Sequence, residues 1–287
     1  MDTFLNKVRT ALREEDTKPC AQKYNINTVK EPEHYQVLRL QKEMETREIE
    51  SCGVKTSIKA LKRTVGVEPY KPGDRLKPGI LTKLKEKGCE FFIVVTMFNE
   101  GPVEVLSSLS GIVKNVKVFK KHGISPSKIA CIVICDGIEP FLQTYNQHAR
   151  FFKQFVNLKA ILEYFDVDNV NKIKLEEDEE IAHCFEMTTN CGYEEEEPIQ
   201  LIWAIKQLNK RKLNTHLWFF GGFCEIIQPR YVQLIDVGTM PRRNALFLLY
   251  EAMLLNDDIA GCCGEICPRN ASFWSMVQSA QIVEYKF

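Results

Sequence analysis

The sequence predicts an α/β fold, a mainly parallel, Rossmann-like sheet flanked by helices and preceded by a polar helical N-terminal region. Three observations predict it. Phe91–Val95 and Ile129–Cys135 are continuous apolar runs, the pattern of strands covered on both faces. Each run leads through a polar tip into a helical pattern, and two such units in succession imply right-handed crossovers and parallel pairing. A third run, Tyr231-Val-Gln-Leu-Ile, ends at a single carboxylate, Asp236, before Val-Gly-Thr-Met-Pro241.

The chain has 287 residues, enough for one large α/β domain or two small ones. Residues 1–65 are polar, helix-prone and poor in aromatics. Pro69, Pro72, Gly73 and Pro78 mark a linker, so residues 1–80 are read as a helical region with its linker, and 81–287 as the main domain. After Phe91–Val95 come Thr96-Met-Phe-Asn99-Glu100-Gly-Pro102. Proline suits a first helical turn, and Val105, Leu109, Ile112, Val113 and Val116 form the stripe of the helix that follows. Lys114, Lys117 and Lys120 load its other side and C-terminal end. Phe141–Leu162 reads as an aromatic helical region. Residues 176–197 read as an acidic loop around a short apolar run near Ala182–Met187. Pro198 opens a predicted amphipathic helix carrying Leu201, Ile205 and Leu208. Thr239 with Pro241 can open the helix read over about Arg242 to Leu255.

Composition narrows the function. Lys plus Arg and Asp plus Glu number 38 each, so the whole chain carries no nucleic-acid or membrane-surface signal. Residues 1–90 hold 19 basic against 14 acidic residues, a net of +5 that a solvated surface explains as well as a binding patch. The 11 cysteines are scattered through apolar segments without a C-x-x-C pair or zinc spacing, which reads as buried thiols in a reducing compartment. The N-terminus does not read as a signal peptide, and no run reaches the ~18–20 apolar residues needed to cross a bilayer. As given, the chain is read as soluble and cytosolic.

Three strands therefore end in one polar cluster: Thr96/Asn99/Glu100, Asp136 and Asp236. Neither G-x-x-x-x-G-K-[ST] nor G-x-G-x-x-G occurs, which argues against P-loop and dinucleotide sites. Strand-tip carboxylates suit ligand hydroxyls or a base edge, and Asp236 suits Mg²⁺ or Mn²⁺ shared with diphosphate oxygens. Lys212 can offset diphosphate charge. Such a site fits transfer of a sugar from a nucleoside diphosphate. Plainer readings stand beside each residue. Asn99 and Glu100 can cap a helix, Asp136-Gly137 can be a tight turn, and Asp236 can cap the next helix. Lys212 can be simply solvated, Trp218-Phe219-Phe220 can be core, and Glu265 can be a buried hydrogen-bonded carboxylate.

The same stretches resemble the chitin synthases, processive members of glycosyltransferase family 2. Val95-Thr-Met-Phe-Asn-Glu100 resembles V-T-[MY]-[YF]-N-E, and Cys135-Asp136-Gly137 resembles [FS]-D-G. Pro198-Ile-Gln200 and Lys212-Leu-Asn-Thr-His-Leu-Trp-Phe219 are similar to P-V-Q and K-K-I-N-S-H-R-W-F. Leu234-Ile-Asp-Val-Gly-Thr-Met-Pro241 resembles L-L-D-[AV]-G-T-x-P. Ala260-Gly-Cys-Cys-Gly-Glu-Ile266 and Ala280-Gln-Ile-Val-Glu-Tyr-Lys286 resemble G-G-A-C-G-E-I and A-Q-N-F-E-Y-K. Counting Pro198 through Phe219 as one, these six motifs run in order from about residue 90, and residues 1–80 show no such likeness.

The resemblance implies a GT-A fold and an enzyme that transfers N-acetylglucosamine from UDP-N-acetylglucosamine to a β-1,4 chitin chain with inversion. It implies substrate binding by Thr96, Asn99, Glu100 and Asp136 at the uridine end and by Lys212 at the nucleotide or diphosphate. Gly264 and Glu265 would lie beside the donor sugar, and Asp236 would coordinate Mn²⁺ or Mg²⁺. It implies chitin oligomer or polymer as partner and a plasma-membrane location for the full-length family, with this domain on the cytoplasmic face. A homodimer is among the assemblies it admits. Leu217, Met240 and Cys262 depart from the family's arginine, basic residue and alanine. The family's E-D segment with the catalytic base, its Q-R-R-R-W segment and its membrane helices are expected beyond Phe287. The chain is accordingly expected to be the donor-binding part of a catalytic domain, with no catalytic base of its own. A soluble glycosyltransferase using another donor and a non-catalytic UDP-sugar-binding protein are the alternatives.

Overall fold

The structure is a computed structural model that describes residues 34–51, 54–68, 80–145, 180–191, 193 and 195–267, with side chains from Ile80 onward except those of Leu81, Thr82 and Tyr145. The linker over 69–78, the helical reading of residues 146–162, the acidic run 176–179 and the motif at 280–286 lie outside the described residues.

Seven strands form one sheet in the order β2-β1-β5-β6-β4-β3-β7. They are β1 (His34–Ser51), β2 (Val54–Glu68), β3 (Phe91–Met97), β4 (Ile129–Cys135), β5 (Glu180–Thr189), β6 (Ile199–Lys206) and β7 (Tyr231–Asp236). The helices are α1 (Ile80–Lys87), α2 (Pro102–Lys121), α3 (Ile138–Tyr145), α4 (Arg211–Trp218) and α5 (Ala245–Leu255). A π turn, Phe219–Phe223, and a last turn, Cys224–Ile227, extend α4. Strands β7, β3, β4 and β6 are parallel neighbours, while β5 runs antiparallel to β6. This is the mixed, mainly parallel α/β architecture that the apolar runs predict.

Connectivity places a crevice in the sheet. From β3 the chain steps to β4 and on to β6, and then returns across both to lay β7 on the other side of β3. Right-handed crossovers in opposite directions put their helices on opposite faces. The point where direction reverses, at the C-terminal ends of β3 and β7, is where loops diverge and ligands enter an open α/β sheet.

Two cores, one on each face, hold these strands. Phe91, Ile93, Val95 and Met97 pack with Val105, Leu109 and Val116 of α2 and with Phe247 and Tyr250 of α5. Phe92 and Val94 pack on the other face with Leu84 of α1 and with Trp218, Phe219 and Phe223. Full burial of one such side chain is worth about 1.5–3 kcal/mol, so the central strands are rigid supports for whatever their ends carry.

Several expectations are corrected. The helical region expected before residue 80 is, over His34–Glu68, an antiparallel β-hairpin whose first strand pairs with β5 from His34↔Glu186 to Leu40↔Glu180. The open backbone edge of β5 needs partners, and that long-range demand outweighs local helix propensity. The acidic loop is in part β5, whose apolar run Ala182–Met187 is buried together with Glu180. The helix expected after Pro198 is β6. Its positions face both cores, so an apolar residue falls at nearly every place and satisfies helical spacing by default. Thr239 and Pro241 open no helix, since α5 starts at Ala245 after Asn244. Lys114, expected on the outer side of α2, is buried, and its ammonium lies 5.3 Å from the centroid of the Tyr193 ring.

Candidate active site

The site follows from strand alternation. Residues two apart share a face, and on the α4 face the apolar series end in polar residues at one edge of the sheet. Phe92 and Val94 are followed by Thr96, Ile132 and Ile134 by Asp136, and Ile202 and Ala204 by Lys206. Val232 packs on that same face, and its series ends at Asp236. Because β5 is antiparallel, its first residue, Glu180, reaches this edge ahead of Ala182 and Cys184. Reading across the sheet, the row is Glu180, Lys206, Asp136, Thr96, Asp236.

Backbone bonds tie the strand ends together. Asp136 N donates to Met97 O at 3.0 Å and Val237 N donates to Thr96 O at 3.1 Å. Gly137 follows Asp136 at φ 113°, and a Cβ there would lie 3.2 Å from Asn209, so the turn requires glycine.

Helix α4 lies over the row and pairs with each part of it. Lys212 Nζ meets Asp236 Oδ2 at 2.6 Å, while Thr96 Oγ1 donates to Asp236 Oδ1 at 2.9 Å. Lys206 Nζ meets Asp136 Oδ1 at 2.6 Å and donates to Thr215 Oγ1 at 3.3 Å. Lys210 N donates to the same Asp136 oxygen at 3.0 Å. Lys210 Nζ lies 3.2 Å from Glu180 Oε1, and Asn214 Nδ2 donates to both Glu180 oxygens at 3.0 and 2.9 Å. Arg211 opens the helix at φ 68°, a conformation that costs a non-glycine residue of order 1–3 kcal/mol. Its N–H donates to Asn209 Oδ1 at 3.0 Å, which fixes the bend that aims Lys210 N at Asp136. A cavity of about 10 Å³ beside the network, walled by Glu180, Lys206, Lys210, Asn214 and Trp218, has the size of one water.

The two ion pairs differ in kind. The side chains of Lys206 and Asp136 are 2% and 6% exposed, whereas those of Lys212 and Asp236 are 56% and 61% exposed. An exposed pair is worth only about 0–1 kcal/mol, so a ligand can part Lys212 from Asp236 at small cost. A buried pair separates only by leaving uncompensated charge.

Electrostatics follow the same division. Burial alone would raise the pKa of Asp236, but hydrogen bonds from Lys212 and Thr96, with the charges of Lys212 and His216, hold it below the usual range. Glu180 is likewise pushed up by burial and brought lower by Asn214, Lys210 and Lys206. Burial lowers Lys206 below the ordinary lysine value against the opposing pull of Asp136 and Glu180.

Of the sequence-predicted residues, Thr96, Asp136, Lys212 and Asp236 come together in this row and its covering helix. Glu100 lies on the loop after β3, where its Oε2 accepts from Phe98 N at 2.7 Å, and Asn99 is exposed beside it. The N-cap of α2 is Gly101, so neither caps that helix. Gly264 and Glu265 are exposed in the stretch 261–267, and among the described residues no hydrogen bond or ion pair joins them to the row. Trp218 and Phe219 are core, not a sugar platform, while Phe220 is exposed. Sequence reasoning missed Glu180, Lys206, Lys210, Asn214 and Thr215. The signal for Lys206 was present, because it ends an apolar run as Asp136 and Asp236 do.

A carboxylate at a strand end, with a lysine that can leave it, can bind a divalent cation when diphosphate oxygens complete the coordination. Among the described residues no group of three His, Cys, Asp or Glu could hold a metal by itself. Asp236 could thus supply one oxygen ligand to such a cation.

Comparison with known proteins gives the same direction. The family model described as the chitin synthase-like glycosyltransferase domain matches residues 91–287. Chitin synthase 2 of Cryptococcus neoformans var. grubii is 30% identical over 215 residues, covering 69% of this chain and 22% of that protein. Chitin synthase 3 of Pyricularia oryzae is 28% identical over 223 residues, 70% of this chain and 24% of that protein. Chitin synthase 2 of Mycosarcoma maydis is 28% identical over 215 residues, 69% and 19%. The chain thus spans between about a fifth and a quarter of the length of these relatives. With a match over most of its length and a site built at the switch point of the sheet, the chain belongs to the chitin synthase-like glycosyltransferase domain family.

Proposed function

We propose that this chain binds UDP-N-acetylglucosamine for transfer of N-acetylglucosamine, with inversion, to a β-1,4 chitin chain. The observation that carries this reading is the contrast along one strand-end row, where a buried Asp136, with Lys206 and the Lys210 N–H both on its Oδ1, stands two strands from an exposed Asp236 held by Lys212 and Thr96. The buried carboxylate suits a fixed hydrogen-bond acceptor for the uridine end, with Thr96, Asn99 and Glu100 on the neighbouring strand end and loop. The exposed one suits the diphosphate, where charge must be met and then released.

Asp236 would hold Mn²⁺ or Mg²⁺ together with the diphosphate oxygens, and such a cation supplies charge neutralisation of the leaving nucleoside diphosphate. Lys212, freed from Asp236, would pair with the same diphosphate. Gly264 and Glu265 are assigned to the donor-sugar side on their motif alone. The base that takes the proton of the acceptor 4-hydroxyl is assigned to none of the described residues. No described helix is long and apolar enough to cross a membrane. A plasma-membrane setting with this domain on the cytoplasmic face is part of the proposal and rests on the family.

Equilibrium titration of the 287-residue chain with UDP-N-acetylglucosamine and CDP-glucose, at saturating Mn²⁺, tests the donor. The uridine donor should bind at least about tenfold more tightly, because a fixed carboxylate selects its N–H donor. Equal affinities, or binding of neither nucleotide, would sink the assignment.

A further inference from the structure

We propose that Lys206 is a positioning residue for nucleotide binding, one that fixes Asp136 so that a single carboxylate oxygen is presented to the base. The inference rests on the donor reading above and adds to it the group that sets the geometry of Asp136.

Lys206 is covered, and its ammonium is already held by protein groups. Its ammonium meets Asp136 Oδ1 at 2.6 Å, and the Lys210 backbone N–H donates to that oxygen at 3.0 Å. Two donors on one oxygen leave Oδ2 as the oxygen with lone pairs to offer. Lys206 is held in turn by Thr215 Oγ1 at 3.3 Å on α4. Lys212 lies three residues earlier on α4, one turn from Thr215, and pairs with Asp236. One helix therefore sets both strand-end carboxylates, one through the buried lysine and the other through the exposed one.

The chemistry that Oδ2 can recognise is an N–H donor in the plane of a pyrimidine. Uracil presents one at N3, whereas cytosine presents an acceptor there. A carboxylate rotated away from its fixed plane loses that discrimination together with affinity. Lys206 is thus a determinant of base choice without base contact.

The test measures UDP and CDP affinity at saturating Mn²⁺ for the wild-type chain, Lys206→Met and Thr215→Val, with urea unfolding run on each. Thr215→Val keeps the shape and the buried charge pair but removes the anchor of Lys206, so it serves where Lys206→Met does not fold. The expected result is that each folded variant binds UDP more weakly, about tenfold or more for Lys206→Met and severalfold for Thr215→Val. The preference for UDP over CDP should fall in step. A residue that merely supports the fold would shift the urea midpoint and leave that ratio where it was. Folded variants with the wild-type ratio therefore overturn the role of Lys206. Failure of the wild-type chain to bind UDP overturns the donor reading, and this proposal with it.

Discussion

Asp136 and Asp236 show how one residue type comes to stand in two different settings at strand ends. Both end parallel strands on the α4 face, but one is closed in by Lys206 and Lys210 while the other is open to solvent. Glu180, at the end of the same row, gives the clearest pH consequence. Its folded pKa is depressed, so near its unfolded value of about 4.3 the unfolded chain binds more protons than the folded one. The stabilisation is complete above that pH and is lost as pH falls through the depressed folded value. Urea unfolding of wild type and Glu180→Gln between pH 7 and pH 3 (the span that covers both states) should show the variant less stable at pH 7 by about 1–3 kcal/mol. It should also show the variant losing less on acidification. Parallel pH curves for the two proteins would contradict this account of Glu180.

At the scale of elements, α2 illustrates how tightly the chain after Asp236 is laid down. Ser108 Oγ accepts from Gly238 N at 2.9 Å, and Asn115 donates to Arg242 O and accepts from Leu246 N. Between them Gly111 faces Pro241, where a Cβ would come within 2.6 Å of the carbonyl oxygen and 2.8 Å of Cδ. Alanine is the better helix former by about 1 kcal/mol, but overpacking against backbone costs about 1–3 kcal/mol. Gly111→Ala should therefore lower the free energy of unfolding in urea, and a variant more stable than wild type would show that this crossing is loose. The elements also divide by how well they could be read. Strands β3, β4 and β7 were legible because an apolar run ended at a polar tip and a helix followed. Strand β6 was misread because burial on both faces erases its period, and Leu201 and Ile205 fall at helical spacing by accident. Strands β1 and β2 were illegible because their reason for being extended, the edge of β5, lies more than a hundred residues away.

For the whole molecule, the order of strands matters more than any single motif. The reversal between β3 and β7 brings residues from positions 96, 136, 206 and 236 to one edge, and alternation turns all four toward α4. Three of those four were visible beforehand, since Thr96, Asp136 and Asp236 end apolar runs in polar residues. Lys206 and Glu180 were hidden by the misreading of β6 and β5, and with them the difference between the buried and exposed carboxylates. The central claim is that Asp236 holds a cation only together with a diphosphate. Calorimetric titration of the 287-residue chain and of Asp236→Ala with UDP, in the presence and absence of Mn²⁺, tests it directly. In the wild-type chain Mn²⁺ alone should give no binding heat, and UDP affinity should rise about tenfold or more when Mn²⁺ is added. In Asp236→Ala that rise should vanish. An equal gain from Mn²⁺ in both proteins would contradict the account.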